Sequence, residues 1–193
     1  MTESDKPHFR ESLKTVLRGT AADDRAGWSS DICGHLRESE VWSKAATVMI
    51  FAATRYEPDL LPLISGAAGR RLIFPAMLDS RIEPRVVATA EELFVSRGGI
   101  REPLDGVPVR PGEIDLILVP GLGFTPGGLR LGRGRGDYDR FLPGLRPEVP
   151  LVGTAFACQL REDLPAGPLD VRMTAVLTEK GFAGVRFLAL EAG

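Results

Sequence analysis

Apolar positions along this chain follow two rhythms. From residue 8 to about 36, Phe9, Leu13, Val16 and Leu17 recur at helical spacing; Gly19 and Thr20 break the run, and residues 21–36 resume it with Ile32 and Leu36 on one face. This spacing predicts a helical hairpin. Further on, apolar residues gather in short unbroken runs: 45–53 (AATVMIFAA), 71–77 (RLIFPAM), 114–119 and 150–156 (PLVGTAF). Such runs, bounded by turn residues, read as strands buried on both faces. Between them, Leu60, Leu61, Leu63 and Ile64 mark one helical stretch and residues 137–145 another. The pattern also predicts a short strand at 83–88, a short helix at 91–94 and a turn at 100–103. Strands alternating with helices over the whole length predict a single three-layer α/β domain, with a mostly parallel sheet flanked by helices. No repeat, low-complexity tract or linker divides residues 1–193.

The stretch 114–142, IDLILVPGLGFTPGGLRLGRGRGDYDRFL, departs from both rhythms. An apolar strand broken only by Asp115 is stopped by Pro120 and Gly121; seven glycines follow between Gly121 and Gly136, mixed with Arg130, Arg133 and Arg135. The segment closes on Asp137, Tyr138, Asp139 and Arg140, a helix start. Glycine permits positive φ and close backbone approach, so successive N–H groups can point at one anion, and a helix start adds partial positive charge. Arginine forks match phosphate oxygens, and Asp139 is placed to hold magnesium against them. The competing reading is a flexible basic surface loop with an N-cap aspartate. Neither familiar phosphate motif fits. Gly136 is followed by Asp137 rather than by Lys-Ser/Thr, and Pro126 stands where a dinucleotide fingerprint needs its third glycine.

Composition narrows the classes. A net charge of −2 with 44% hydrophobic and 26% charged residues describes an ordinary soluble domain. The basic character is confined to the glycine loop, which suits a small anionic ligand rather than nucleic acid. No window approaches the roughly 18 apolar residues of a membrane span, and the polar N-terminus is no secretory signal. The expected compartment is the cytoplasm. His8 and His35 are the only histidines, and Cys33 and Cys158 are read as reduced, so a zinc site or a serine-histidine triad has almost no raw material. Glu57, following the run 45–53, lies either at a ligand-binding strand end or in the first turn of a helix.

The run VPGLGFTPGGLRLGRGRGDYDRFL resembles the signature of the 5-formyltetrahydrofolate cyclo-ligase (methenyltetrahydrofolate synthetase) family. Further matches run along the chain: Lys6-Pro-His-Phe9-Arg10 near the start, Arg25 downstream of it, Glu57-Pro58-Asp59-Leu60, Ile100-Arg101-Glu102-Pro103, and Gly153 to Gln159. The resemblance implies a Rossmann-like fold and an ATP-dependent cyclisation of 5-formyltetrahydrofolate to the 5,10-methenyl product, with release of ADP and phosphate. It implies ATP at Lys6, Arg10, Arg130, Gly132, Arg133, Gly134, Arg135 and Gly136, with Tyr138 packing nearby. Arg133, Arg135 and Asp139 would serve the reacting phosphoryl group. Mg2+ would sit on Asp139, with Asp137 a second candidate, and the reduced folate would meet Glu57, Ala52 and Pro75. The expected assembly is a monomer or homodimer.

Three positions differ from the family pattern: Asp137-Tyr138 replaces paired tyrosines, Thr125 replaces aspartate, and Thr174 occupies the place of a second metal carboxylate. Two other readings follow from these differences. One is a paralogue that binds nucleotide or folate as a regulatory or interaction module, and the other an unrelated sugar-phosphate or coenzyme A enzyme of similar architecture.

Overall fold

The computed structural model describes residues 2–67, 69–96 and 99–184. The helical hairpin forms as α1 (Lys6–Arg18) and α2 (Ala22–Glu38). Pro7 lies in the first turn of α1, where a missing N–H costs no intrahelical bond. Leu13, Leu17, Ile32 and Leu36 are buried, whereas Val16 falls off the apolar face and is 38% exposed. A one-turn helix, α3 (Glu40–Lys44), follows, its start capped by Ser39 Oγ accepting from the Trp42 N–H at 3.3 Å. Then come β1 (Thr47–Met49), α4 (Pro62–Ser65), β2 (Arg71–Leu78), β3 (Arg81–Val86), β4 (Leu93–Val95), β5 (Arg101–Pro103), β6 (Leu116–Pro120), β7 (Gly123–Phe124), β8 (Arg130–Leu131), α5 (Asp137–Phe141), β9 (Leu151–Thr154), β10 (Ala175–Thr178) and β11 (Gly181–Ala183).

Seven strands form the main sheet in the order β11-β10-β9-β6-β1-β2-β3. The five inner strands run parallel, and β3 and β11 close the edges antiparallel. Alternate residues divide between two cores, as the period of two along a strand requires. Val48, Leu72, Phe74, Leu116, Leu118 and Val152 face the layer holding α1 and α2. Met49, Ile73, Ile117, Val119 and Val176 face Leu142, Val149 and the α5 region. Helices thus flank a mostly parallel sheet, as the alternation of runs implies. Asp115, the one charge in the central run, accepts from the Ala46 and Thr47 N–H groups at 3.1 and 2.9 Å and pairs with Arg146 at 2.9 Å. It joins the starts of β1 and β6.

Local expectations are corrected in several places. Residues 100–103 are not a turn: Arg101–Pro103 pairs antiparallel with Leu93–Val95, and the predicted helix at 91–94 shrinks to the 3-10 turn Ala90–Glu92 running straight into β4. Pro120 ends β6 as its last residue, because its missing N–H falls where the ladder is finishing. The helix predicted at 137–145 is α-helical only over Asp137–Phe141 and tightens to a 3-10 turn at Leu142–Gly144, where Pro143 lacks the N–H an α-turn would use.

Candidate active site

Parallel sheets bind ligands at the carboxyl ends of their strands, where the chain order reverses. Here β1 is followed by β2 on one side and β6 on the other. A cavity of about 780 Å3 opens beyond those ends, lined by Phe51 and Ala52 after β1, Pro75 and Met77 in β2, and Pro120 and Gly121 at the end of β6. The residues singled out from sequence for ATP, folate and metal all line it: Lys6, Arg10, Ala52, Glu57, Pro75, Arg130, and the glycine loop from Gly132 to Asp139.

One wall is the glycine loop. Gln159, fully buried, donates its side-chain amide to the carbonyls of Gly121 and Leu122 at 3.0 and 3.1 Å, pinning the loop's entrance. The hairpin of β7 and β8 carries Arg130 inward. Its guanidinium meets Asp139 at 2.5 Å, donates to the Pro120 carbonyl at 3.3 Å and lies 5.7 Å from the Tyr138 ring centroid. Its buried Nε has no hydrogen-bond partner among the described residues. Arg130 is therefore a support for Asp139 and Tyr138 at least as much as a free cation facing the cavity. Burial pushes the Tyr138 phenol well above its ordinary 10.0, and the Glu57 carboxylate adds to the rise. That ring stays a neutral hydrogen-bonding surface.

From the N-terminal helix, Arg10 donates to the Gly132 carbonyl at 2.9 Å, and its guanidinium lies 3.4 Å from where a Cβ on Gly134 would stand. Gly134, at φ +104°, has a backbone that side-chain-bearing residues rarely adopt. Lys6 is buried in a two-oxygen contact with Asp170 at 2.8 and 2.9 Å. Arg135 pairs with Asp137 at 3.0 Å, and Arg140 reaches the other oxygen of Asp137 at 2.7 Å. The carboxylate that replaces a family tyrosine is thus neutralised by two arginines. With α5 only five residues long, its dipole adds less to the loop than a longer helix would.

The opposite wall is built from the segment after β1. The Glu57 side chain, 8% exposed, accepts from the Thr54 N–H and hydroxyl at 2.9 and 2.8 Å and pairs with Arg133 at 2.9 Å. Arg133 also donates to the Thr54 hydroxyl. Glu57 therefore faces the cavity and lies outside α4, which resolves the choice left open by its sequence. Glu102 of β5 accepts from the Met77 N–H at 2.7 Å, holding the small hairpin against β2, and Val95 and Leu104 leave apolar side chains at the rim.

Two positions fall elsewhere. Thr174 is not in the cavity; its hydroxyl is exchanged with both backbone groups of Leu151 at 3.0 Å, stitching the approach to β10 onto β9. Arg25 lies outside it too, 5.4 Å from the Tyr56 ring centroid and donating to the Thr20 carbonyl. Among the described residues no three His, Cys, Asp or Glu side chains gather as a metal cage. Sequence reasoning missed Thr54 and Asp170 as cavity residues. The only available signals were a hydroxyl and a carboxylate near strand ends, and neither stands out without its partner.

A model of the 5-formyltetrahydrofolate cyclo-ligase family matches residues 2–179. The chain belongs to that family. It is similar to the 5-formyltetrahydrofolate cyclo-ligase of Mycolicibacterium smegmatis, with 30% identity covering 93% of this chain and 96% of the relative. The Escherichia coli K12 cyclo-ligase is 35% identical across 69% of this chain and 78% of its own. Among solved structures, the 5,10-methenyltetrahydrofolate synthetase of Aquifex aeolicus superposes with a TM-score of 0.85 at 30% identity, covering 94% of this chain and 93% of the other. This cyclo-ligase family member therefore keeps the fold of its Aquifex relative.

Proposed function

We propose that this protein catalyses the ATP-dependent cyclisation of 5-formyltetrahydrofolate to 5,10-methenyltetrahydrofolate, with release of ADP and phosphate. The observation that carries the proposal is one cavity in which the arginine and glycine loop faces Glu57 across the ends of β1 and β6. In the overall reaction the formyl oxygen takes the γ-phosphoryl group, the neighbouring amine bonds to the activated carbon, and the oxygen departs with phosphate. Phosphoryl transfer asks a protein mainly for positioning and charge neutralisation. Arg10, Arg133, Arg135 and the backbone of Gly132 to Gly136 provide both, and no nucleophilic side chain is needed. Glu57 is an acceptor for the N–H groups of the pterin ring, while Ala52 and Pro75 give that ring an apolar seat.

The donor set fits magnesium brought in on nucleotide phosphates. Asp139 shares Oδ1 with Arg130 and keeps Oδ2 to offer at the cavity wall, and Mg2+ is ordinarily held by one or two carboxylates with the remaining positions filled by phosphate and water. Asp139 would hold the ion, which would neutralise charge on the transferred group. Asp137, spent on two arginines, is the weaker candidate. No described helix is long and apolar enough to cross a membrane. The reading further places a monomer or homodimer, acting on small molecules alone, in the cytoplasm.

The test is the rise of methenyltetrahydrofolate absorbance when the purified protein meets 5-formyltetrahydrofolate and magnesium ATP, with ATP omitted as control. An ATP-dependent rise is expected, and Asp139→Asn should lower kcat at least 100-fold, on the order of 3 kcal/mol. A flat trace from folded protein that still binds ATP would overturn the enzymatic reading.

A further inference from the structure

Thr54 and Glu57 have the spacing of a helix-capping box, yet no helix starts with them; α4 begins only at Pro62. Pro58 is the cause. It lacks the N–H that would make the first helical bond back to the Thr54 carbonyl, and it disfavours helical backbone at Glu57. The Glu57 N–H donates to that carbonyl instead, at 3.1 Å, closing a turn with Arg55 and Tyr56 at its corners. In a capping box the threonine hydroxyl accepts from the N–H three residues on. Here that N–H is already taken, which leaves the hydroxyl to other partners.

Arginine can only donate, and a hydroxyl carries one proton and two lone pairs. Arg133 donates to the Thr54 hydroxyl, whose own proton goes to Glu57 Oε2 at 2.8 Å. The Thr54 N–H donates to the same oxygen at 2.9 Å. Glu57 is thereby gripped through Oε2 by two donors of one residue, while Oε1 meets Arg133 at 2.9 Å. Thr54, Glu57 and Arg133 all line the main cavity. One hydroxyl therefore touches the acceptor of one wall and a cation of the other.

We infer that Thr54 is a positioning residue, whose hydroxyl aims Glu57 Oε1 into the cavity and steers the Arg133 guanidinium beside it. The inference rests on the proposed function, in which Glu57 accepts from the N–H groups of the pterin ring and Arg133 meets nucleotide phosphate. A carboxylate held through one oxygen presents the other at a set angle, whereas one held by Arg133 alone would swing when phosphate draws the guanidinium away. Thr54 is neutral, so an anion arriving at Arg133 does not compete for it.

The test uses the purified protein with Thr54→Val, which keeps the branched shape and the backbone N–H but loses the hydroxyl, and Thr54→Ser, which restores the hydroxyl. Calorimetry measures 5-formyltetrahydrofolate and a non-hydrolysable ATP analogue separately; its stoichiometry accounts for the folded fraction, so each Kd stands apart from any loss of fold. Thr54→Val should weaken the folate roughly tenfold, the size of one lost hydrogen bond to a carboxylate, with Thr54→Ser within about threefold of wild type. The valine variant should also weaken the analogue, by about threefold, and in an Arg133→Ala background this second effect should vanish while the folate effect persists. A valine variant that binds folate as tightly as wild type, a serine variant as weak as the valine one, or an analogue loss that survives without Arg133 would overturn the positioning role. The proposed function is read separately: wild-type protein that shows these binding differences but no ATP-dependent rise in methenyltetrahydrofolate absorbance would lose the enzymatic reading and keep Thr54 in a folate-binding site. Wild-type protein that binds no 5-formyltetrahydrofolate would overturn both.

Discussion

Buried polar groups in this protein are informative one residue at a time. Cys33, on the buried face of α2, has its thiol pushed from an ordinary 9.0 up to about 11 by burial. The unfolded chain loses this proton near pH 9 while the folded one keeps it, so the folded state binds more protons between pH 9 and 11 and stability must fall as pH rises through that window. The expected slope from this group is roughly 1.4 kcal/mol per pH unit. Urea unfolding across the window should show it, and Cys33→Ala should remove that part of the slope whatever its effect on stability near neutrality. A slope unchanged in the variant would mean the thiol ionises alike in both states. At this scale sequence gave residue types and little about their partners. Arg130 reads in sequence as one of three loop cations, yet its guanidinium is committed to Asp139 at 2.5 Å beneath the loop. Nothing in the spacing of Arg130, Arg133 and Arg135 tells which side chain turns inward, because a glycine-rich backbone has no fixed period.

Elements divide by how they are specified. The central strands were legible because burial on both faces makes the whole run apolar, as residues 116–119 are. Strands β4, β5, β7, β8 and β11 are two or three residues long and defined by what they pair with, so Arg101–Pro103 carries no pattern of its own. The turn between β7 and β8 depends on backbone shape. The Thr125 hydroxyl accepts from the Leu129 N–H at 3.0 Å, an arrangement an aspartate side chain also supports, which accounts for threonine at a position where the family carries aspartate. Gly128, at φ +85°, accepts from the Met173 N–H at 2.8 Å, and a Cβ there would run into the Met173 carbonyl oxygen. Gly128→Ala is therefore expected to cost roughly 2–4 kcal/mol through strain and clash with backbone. At Gly112, by contrast, an added Cβ meets nothing within 4 Å and φ is ordinary, so Gly112→Ala should stay within about 0.5 kcal/mol. Denaturant midpoints of the two variants check the contrast, and equal losses would mean that the Met173 carbonyl yields to the added Cβ at little cost.

Across the whole molecule, the site is assembled from distant parts of the chain. Lys6 meets Asp170, Arg10 meets the Gly132 carbonyl, and Arg133 meets Glu57. The membership of the site was legible because glycines, arginines and carboxylates fall at strand ends; the pairings were not, since they depend on how β6 and β1 lie side by side. Of these pairings the one between Arg133 and Glu57 joins the glycine-loop wall to the wall built from the segment after β1, and it has a measurable consequence. The Glu57 side chain is 8% exposed, so removing Arg133 leaves a nearly buried carboxylate with Thr54 as its one remaining partner among the described residues. Arg133→Ala should therefore weaken 5-formyltetrahydrofolate binding as well as that of a non-hydrolysable ATP analogue, each measured alone by calorimetry. Glu57→Gln removes the same ion pair from the other side. The folate-affinity losses of the two single variants should exceed that of the double variant, with a coupling of roughly 1–2 kcal/mol. If Arg133 serves phosphate alone, its variant will spare the folate and the two losses will add within about 0.5 kcal/mol. Non-additivity would instead mean that a nucleotide drawing Arg133 toward its phosphates changes the hydrogen-bonding state of Glu57, so that occupancy of one wall is felt at the other before any chemistry occurs.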